Sequence, residues 1–165
     1  MTSMPGLDIR SSPEQGLGAF AIDSIQKGSI VREYVGEIID EREKESRAIR
    51  KECKYMMGYG VGGYIDAEYC GNAARFFNHS CDPNCSAEEW TVSGFYRIGI
   101  MALKAIQAGE EITFSYGPNY HFRTCMCSQC RNCFTKKRKR QAAPKQRTSG
   151  SKEIKTANTT QCMYY

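Results

Sequence analysis

The chain has 165 residues, 41% of them apolar and 11% aromatic, which is enough for one folded unit with a single core and tails. The formal net charge of +5 divides into −5 over residues 1–122, with 12 Lys and Arg against 17 Asp and Glu, and +10 over residues 123–165, with 11 against 1. No positively charged start precedes an apolar run, and no stretch approaches about 18 consecutive apolar residues, so we expect neither a signal peptide nor a membrane span.

Charge and cysteine content narrow the expected partners. An acidic body suits a cationic peptide and a basic C-terminal part suits a polyanion such as nucleic acid, although either imbalance is also typical of an ordinary solvated surface. Nine cysteines are an odd and high number for a chain that we expect to stay in a reducing compartment. In that setting, the count indicates metal ligation rather than a disulfide framework.

The N-terminal part contains a lead-in and then a glycine pair. Residues 1–14 are polar and interrupted by proline, which predicts a flexible, loosely held lead-in. Gly16 and Gly18 then stand one residue apart before an apolar strand, and this arrangement lets the backbone approach a ligand closely. Taken alone, such a pair is more typical of a turn than of a binding site.

The middle of the chain combines short strands with one helix. Residues 30–39 form a β-prone run, and Asp40 can cap a helix that extends to about Lys54. Glu43 and Arg47 are spaced as an i,i+4 ion pair on that helix. The fold is therefore predicted to be mixed α+β and mostly β, with further short strands at residues 64–67, 88–92 and 95–101.

The densest polar stretch is residues 75–85, Arg-Phe-Phe-Asn-His-Ser-Cys-Asp-Pro-Asn-Cys. If this stretch is buried, each Asn amide and His ring nitrogen needs a partner, and each orphan costs about 1–3 kcal/mol. A bound ligand can be that partner. The alternatives are a surface loop built of turn residues, or glycosylation acceptors at Asn78 and Asn84, which require a secretory route that the sequence does not indicate.

Two further segments accompany this stretch: residues 71–74, Gly-Asn-Ala-Ala, precede it, and residues 109–117, Gly-Glu-Glu-Ile-Thr-Phe-Ser-Tyr-Gly, follow it. Together the segments resemble the paired signature motifs of SET-domain protein lysine methyltransferases, and the resemblance extends from about Gly16 to Cys133. It implies a SET-domain fold of several short sheets with a threaded (pseudoknot) C-terminal segment. The divisions that it implies are a SET domain over residues 15–117 and a post-SET zinc-binding segment over residues 118–134. Composition predicts that residues 135–165, which are basic and nearly free of large apolar residues, form a disordered tail.

Within the family, residues 84–99 are most similar to the Ash-type, SET2-type and nuclear-receptor-binding SET enzymes of histone H3. The resemblance therefore implies a nuclear, chromatin-associated histone-lysine N-methyltransferase that acts on the histone H3 tail or the nucleosome. Ser115 departs from the pattern, because relatives carry an acidic or amide residue there. A methyltransferase for a non-histone protein and a catalytically silent, zinc-bearing chromatin-binding module are the alternatives.

Methyl transfer from a sulfonium to an amine is an in-line displacement, which requires alignment, exclusion of water and a neutral lysine. By resemblance, Tyr116 is the catalytic tyrosine, and Tyr34 and Phe114 wall the lysine channel, although each could equally be a core aromatic. Because Phe114 stands where a tyrosine restricts other members to fewer methyl groups, the resemblance implies a di- or trimethyl product. It assigns the cofactor, S-adenosylmethionine, to Gly16, Leu17, Gly18, Tyr55, Arg75, Asn78, His79 and Tyr116.

Cysteines near the C-terminus resemble the family's post-SET zinc site, in which a Cys-x-Cys pair joins the cysteine of the Asn-His motif. In this chain those residues are Cys125, Cys127 and Cys81. Four thiolates suit a closed tetrahedral structural zinc site. The usual spacing does not fall on a cysteine, so the choice of fourth ligand lies between Cys130 and Cys133.

The basic run at residues 136–140, Lys-Lys-Arg-Lys-Arg, is expected to act as a nuclear-import signal or to contact nucleic acid, because consecutive cations attract phosphate. A merely solubilising tail is the alternative. No membrane partner is expected, and the sequence does not indicate an oligomeric state.

Overall fold

The structure is a computed structural model that describes residues 4–13, 15–50 and 53–117, together with Cys125, Cys127 and Cys130. Cys133 and the basic tail from residue 135 onward lie outside the described residues. Within the described part, no helix is long and apolar enough to cross a membrane. In chain order the elements are strands β1 (Leu7–Ser12), β2 (Gly16–Ala21), β3 (Ile30–Tyr34) and β4 (Glu37–Asp40), helix α1 (Glu41–Ile49), strands β5 (Met56–Tyr59) and β6 (Gly63–Asp66), a 3₁₀ helix (Ala73–Phe76), and strands β7 (Asn78–His79), β8 (Cys85–Val92), β9 (Phe95–Ala102) and β10 (Thr113–Phe114).

The strands form three small sheets, which confirms the mostly β prediction. β1 and β2 pair with each other, β4, β6 and β5 form a second sheet in that order, and the largest sheet has the order β3, β9, β8, β10, β7. β10 runs parallel to both of its neighbours, pairing Thr113 with Asn78, and Phe114 with both His79 and Cys85. The last strand therefore lies between two strands that precede it in the chain, which is the position that a threaded C-terminal segment requires.

The strands predicted at residues 88–92 and 95–101 are confirmed as parts of β8 and β9, which form a hairpin. Val92 pairs with Phe95, and the two residues between them have positive φ, 51° at Ser93 and 83° at Gly94, as a two-residue type I′ turn requires. Gly99 of β9 lies directly beneath the indole ring of Trp90 on β8. A Cβ at position 99 would come within 2.4 Å of that ring, so there is no room for a side chain. Turn chemistry and ring packing together fix the register of β8.

The predicted helix begins where the sequence indicated and ends earlier. Asp40 is its N-cap, with Oδ1 accepting from the Glu43 N–H at 2.8 Å, and the predicted Glu43–Arg47 pair forms at 2.8 Å. The helix ends at Ile49 rather than near Lys54. Met56 and Met57, which come just after the predicted end, are buried in strand β5, so tertiary packing overrides the helical pattern in this part of the chain.

Arg47 fastens α1 to the three-stranded sheet. Its Nη1 donates to Asp66 Oδ2 at 2.6 Å and its Nη2 to Glu37 Oε2 at 2.9 Å. Asp66 is 1% exposed, and a buried carboxylate requires a charged partner. Gly36 closes the same corner, because a Cβ there would lie 2.4 Å from the Asp66 carbonyl oxygen. This close approach divides the β-prone run at residues 30–39 into β3 and β4.

Part of the expected lead-in is a strand. Residues 7–12 form β1, which pairs with β2 along its whole length, from Leu7 with Ala21 to Ser12 with Gly16. Ser12 at the end of β1 is buried. The N-terminal residues therefore hold the glycine-containing strand β2 in place.

One buried apolar cluster extends through the sheets. Tyr34 and Phe114 belong to it, and Tyr55 and Tyr116 pack against it while half-buried. The aromatic residues assigned to the site are therefore also part of the core, so the two interpretations of these residues do not exclude each other. The aliphatic part of the cluster includes Val31, Ile65, Ile98, Ile100, Ile106 and Ile112.

Candidate active site and cysteine cluster

The glycine pair of β2 lies against Asn78. The Asn78 side-chain Nδ2 donates to the Leu17 carbonyl at 3.1 Å, and a Cβ at Gly18 would lie 3.1 Å from the same nitrogen. Gly16 has a φ of +83°, and apart from its chain neighbours no atom of the described residues lies within 4 Å of the position that its Cβ would take. The structure thus brings together two motifs that are about 60 residues apart in the sequence, and it leaves open space beside them.

His79 links Tyr116 to Cys81. The Tyr116 backbone N–H donates to His79 Nδ1 at 3.1 Å, and the two ring centroids are 5.4 Å apart. Because Nδ1 accepts, the neutral imidazole carries its proton on Nε2, which lies 3.3 Å from Cys81 Sγ. Burial lowers the pKa of His79 and so favours the neutral ring. One side chain therefore connects the candidate catalytic tyrosine to the cysteines.

The hydroxyl of Tyr116 has a defined direction. It donates to the Phe77 carbonyl at 2.9 Å, and its ring centroid lies 5.0 Å from that of Phe114. Because the hydroxyl proton points to a carbonyl, the oxygen can act toward an amine only as a hydrogen-bond acceptor.

Tyr34 stands close to these groups and stays protonated. Its hydroxyl donates to the Tyr55 carbonyl at 2.8 Å. Burial raises the pKa of Tyr34, and the nearby Tyr116 and Asp66 raise it further. A neutral phenol therefore occupies this position throughout the physiological pH range.

Arg75 carries an unsatisfied donor next to Tyr55. Its guanidinium carbon lies 4.1 Å from the centroid of the Tyr55 ring, and its Nη1 donates to the Glu68 carbonyl at 2.8 Å. Its Nε is buried and has no hydrogen-bond partner in the described part of the chain. A buried orphan donor costs about 1–3 kcal/mol, so a polar ligand beside Tyr55 would be stabilised here.

A groove of about 370 Å³ includes Ser115 and Gly117, the two chain neighbours of Tyr116, in its wall. Two acidic residues of β8, Glu88 and Glu89, line the same wall. The other lining residues include the apolar Met57, Pro83, Ala87, Ile98 and Leu103. An extended segment that combines apolar and positively charged side chains fits such a groove.

Four thiols lie together at the end of β7. The Sγ atoms of Cys81, Cys125, Cys127 and Cys130 are all within 4.8 Å of one another, and Cys81 lies 3.9 Å from Cys125 and 3.5 Å from Cys130. A tetrahedral zinc with Zn–S bonds of about 2.3 Å separates its sulfurs by about 3.8 Å, so the four residues fit a metal ion of this kind. Cys133, the other candidate for the fourth ligand, lies outside the described residues.

Neighbouring thiols ionise unequally. Burial raises the pKa of Cys125 to about 11, and burial together with the Cys130 thiol raises the pKa of Cys81. Burial also opposes the thiolate of Cys127, but hydrogen bonds from the Cys130 and Cys81 backbone N–H groups and from the neighbouring thiols together outweigh this effect and lower its pKa to about 6. A cation would replace the remaining protons and allow all four sulfurs to bind as thiolates.

Two glutamates that the sequence analysis left without a role contact the two asparagines of the signature. Glu111 Oε1 accepts from Asn78 Nδ2 at 2.8 Å, and Glu110 Oε1 accepts from Asn84 Nδ2 at 3.0 Å. Asn84 is buried, and its Oδ1 accepts from the Thr113 N–H at 2.8 Å. The paired glutamates at residues 110–111 were the signal in the sequence, but only the placement of β10 shows which asparagine each carboxylate meets.

A family model described as the SET domain matches residues 16–117. The chain belongs to the SET-domain family. The resemblance carried by the signature motifs is therefore confirmed.

Named relatives of this SET-domain chain are far longer than the match. The Variant-silencing SET domain-containing protein of Plasmodium falciparum is 40% identical over 132 residues, which cover 73% of this chain and 5% of that protein. The Histone-lysine N-methyltransferase, H3 lysine-36 specific, of Mus musculus is 42% identical over 118 residues, which cover 68% of this chain and 4% of that protein. This chain thus spans less than a tenth of the length of these curated relatives.

A solved structure agrees with the family assignment. A chain of the structure described as "Crystal structure of an active polycomb repressive complex 2 in the basal state" superposes with a TM-score of 0.67 at 36% identity. The superposition covers 70% of this chain and 16% of that one. The shared part is therefore most of this chain and a small part of that larger one.

Proposed function

We propose that the chain is an S-adenosylmethionine-dependent protein lysine methyltransferase. The observation that carries this proposal is the position of Tyr116. Its backbone is hydrogen-bonded to His79 of the Asn-His motif, its hydroxyl is hydrogen-bonded to Phe77, and both of its chain neighbours line the groove. One side chain thus stands between a candidate cofactor site and a candidate peptide groove, as transfer between two bound reactants requires.

The residues on the cofactor side fit a polar ligand on two grounds, the orphan Arg75 Nε and the open space at Gly16. When bound, S-adenosylmethionine supplies an electrophilic methyl group on its sulfonium. Residues 16–18 would bring their backbone close to the ligand, and the Asn78 amide would recognise a polar group. The full set that we assign to binding is Gly16, Leu17, Gly18, Tyr55, Arg75, Asn78, His79 and Tyr116.

The lysine side of the site would favour a neutral amine. A lysine in water has a pKa of about 10.4, and desolvation lowers it. Tyr34 and Phe114 are both buried, and Tyr34 keeps its proton, so the channel contributes no negative charge that would retain the ammonium form. The Tyr116 oxygen would then accept a hydrogen from the amine and orient the nitrogen lone pair.

Histone H3 within the nucleosome is the proposed substrate, and the nucleus is the proposed location. Three observations support this: the name of the mouse relative, the net charge of −5 over residues 1–122, and the groove lined by Glu88 and Glu89. The basic run at residues 136–140 is proposed to contact nucleosomal DNA, which would add a salt-dependent contribution to substrate affinity.

Transfer of a labelled methyl group tests the proposal. Recombinant nucleosomes, free histone H3 and nucleosomes with arginine at H3 lysine 36 are each incubated with the protein and labelled S-adenosylmethionine. We expect label in nucleosomal H3, and none where lysine 36 is replaced. Label found only in non-histone proteins of a nuclear extract would change the substrate but keep the reaction. No transfer to any protein, together with no cofactor binding, would reject the proposed function.

Phe114→Tyr is expected to shift the product toward monomethyl lysine. The Phe114 ring is 2% exposed and lies 5.0 Å from the Tyr116 ring, so an added hydroxyl would fill space that a dimethylated or trimethylated amine needs. Total turnover should stay within about threefold of wild type, because the added hydroxyl reduces the space for a methylated amine more than it disturbs the alignment of the amine with the methyl donor. Mass spectrometry of a nucleosome time course measures the shift. Wild-type product that stops at one methyl group despite excess cofactor would contradict the prediction.

We also propose that the cysteine cluster holds one structural zinc ion, with Cys81, Cys125, Cys127 and Cys130 as ligands. The proximity of the four Sγ atoms supports this set. Cys81 lies two residues after His79, so the metal would fasten the proposed post-SET segment, residues 118–134, to the end of β7.

Dialysed protein is expected to contain about one zinc per chain, and Cys81→Ser to lower that content below about half, because a closed site loses one of its four ligands. Cys70→Ser is the control, since Cys70 is exposed and lies outside the cluster. Cys130→Ser and Cys133→Ser, made separately and followed by metal analysis, identify the fourth ligand. Zinc retained in full by Cys81→Ser would contradict the arrangement.

A further inference from the structure

Glu111 joins three strands of the candidate cofactor site. Its Oε1 accepts from Asn78 Nδ2 at 2.8 Å, and its Oε2 accepts from the Ser12 hydroxyl at 3.0 Å. A Cβ at Gly18 would lie 2.3 Å from Glu111 Oε1 and 2.9 Å from Ser12 Cβ, so a larger residue here would displace the carboxylate from its present position. β1, β2 and β7 therefore meet at a side chain that is not among the residues assigned to the cofactor.

The hydrogen bonds of Asn78 fix the orientation of its amide. Nδ2 carries two hydrogens, one donated to the Leu17 carbonyl at 3.1 Å and the other to Glu111 Oε1 at 2.8 Å. A carbonyl and a carboxylate cannot donate in return, so a flipped amide would set its oxygen against two acceptors. The observed orientation directs Oδ1 to the opposite side, where it has no hydrogen-bond partner among the described residues.

We propose that Glu111 is a positioning residue, which holds the Asn78 amide so that Oδ1 is presented to a hydrogen-bond donor of the bound cofactor. This inference rests on the proposed function, because it requires S-adenosylmethionine as the ligand. Two acceptors, the Leu17 carbonyl and the Glu111 carboxylate, prevent the Asn78 amide from flipping. The carboxylate is the stronger of the two, because hydrogen bonds to charged groups are stronger than those between neutral groups. Loss of the carboxylate would leave the Leu17 carbonyl alone to hold the amide.

Calorimetric titration with S-adenosylmethionine tests the proposal on wild type, Asn78→Ala, Glu111→Ala and Glu111→Gln. We expect Glu111→Ala to weaken binding about tenfold, less than Asn78→Ala. Glu111→Gln should restore most of the affinity, because its amide oxygen can accept from Asn78 while its NH₂ donates to the Ser12 hydroxyl. In turnover, Glu111→Ala should raise KM for the cofactor and leave kcat and KM for the protein substrate unchanged.

Ser12→Ala is the matched control, because it removes the other hydrogen bond of Glu111 without touching Asn78. It should lower the melting temperature but leave cofactor affinity within about twofold of wild type. If Ser12→Ala and Glu111→Ala both lose cofactor affinity in proportion to their loss of melting temperature, the role of Glu111 is merely structural. Affinity of folded Glu111→Ala within about twofold of wild type would also overturn the proposal.

Glu111→Asp replaces Glu111→Ala if the latter does not fold. It keeps the charge and shortens the side chain by one methylene, so it should weaken binding in the same way, and unchanged affinity would overturn the proposal.

The failure of this inference is distinguishable from that of the proposed function. Wild type that does not bind S-adenosylmethionine rejects the function, whereas normal binding by the Glu111 variants, with loss in Asn78→Ala, rejects only the role of Glu111.

Discussion

Asn78→Ala is expected to abolish S-adenosylmethionine binding in calorimetry while the protein stays folded. The substitution removes Oδ1 as an acceptor and leaves Glu111 Oε1 and the Leu17 carbonyl without their donor. Hydrogen bonds that involve charged groups contribute about 1.5–3 kcal/mol each, so the combined loss is at least about 100-fold in affinity. The fold should persist because β7 keeps its backbone pairing of residue 78 with Thr113.

Asn84→Ala is the matched control for this prediction. Asn84 belongs to the same sequence motif, but it bonds to the Glu110 side chain, the Glu111 carbonyl and the Thr113 N–H. The groups that hold Asn78 are different, namely the Leu17 carbonyl and the Glu111 carboxylate. It is 3% exposed, so its replacement should cost about 1–3 kcal/mol of stability, yet the protein should still bind the cofactor. Unchanged affinity in folded Asn78→Ala would remove Asn78 from the site. Equal loss in both variants would indicate general loosening of β10 instead.

The features that the sequence predicted well are those that are encoded locally. Ser93 and Gly94 supply the positive φ values of the hairpin turn. Asp40 caps α1 by accepting a hydrogen bond from the backbone N–H of Glu43, three residues later. Glu43 and Arg47 meet because they are one helical turn apart. The signature motifs added the assignment of Asn78 and Tyr116, since they specify residue types at fixed positions over most of the domain.

The features that the sequence did not predict depend on contacts between distant segments. Glu111 meets Asn78 across 33 residues because β10 enters between β7 and β8, and no local pattern encodes that pairing. Ser12 reaches the same carboxylate across 99 residues, which is why residues 1–14 read as a lead-in from composition alone. The early end of α1 has the same origin, since burial of the β5 methionines in the core overrides helical spacing.

The same long-range contacts connect the cysteine cluster to the candidate catalytic tyrosine. His79 accepts from the Tyr116 backbone on one ring nitrogen and faces Cys81 with the other. A metal held by Cys81 would therefore constrain the imidazole that supports Tyr116. If the proposed zinc is bound, its removal should lower turnover by displacing Tyr116, although the metal would take no part in the transfer itself.

Tyr116→Phe is expected to lower kcat about 100-fold while KM for the protein substrate and Kd for S-adenosylmethionine change little. The hydroxyl proton is directed to the Phe77 carbonyl, so the oxygen is a fixed acceptor that aligns the amine, and loss of alignment at a reacting centre costs about two orders of magnitude. Loss of the hydrogen bond to Phe77 should reduce stability by only about 1 kcal/mol, which thermal melting can verify.

Tyr69→Phe is the control, because Tyr69 is 73% exposed and should retain full turnover. Single-turnover rates at saturating cofactor separate the chemical step from binding. If Tyr116→Phe transfers methyl groups at a rate within a few-fold of wild type, Tyr116 does not orient the amine, and the site requires another acceptor.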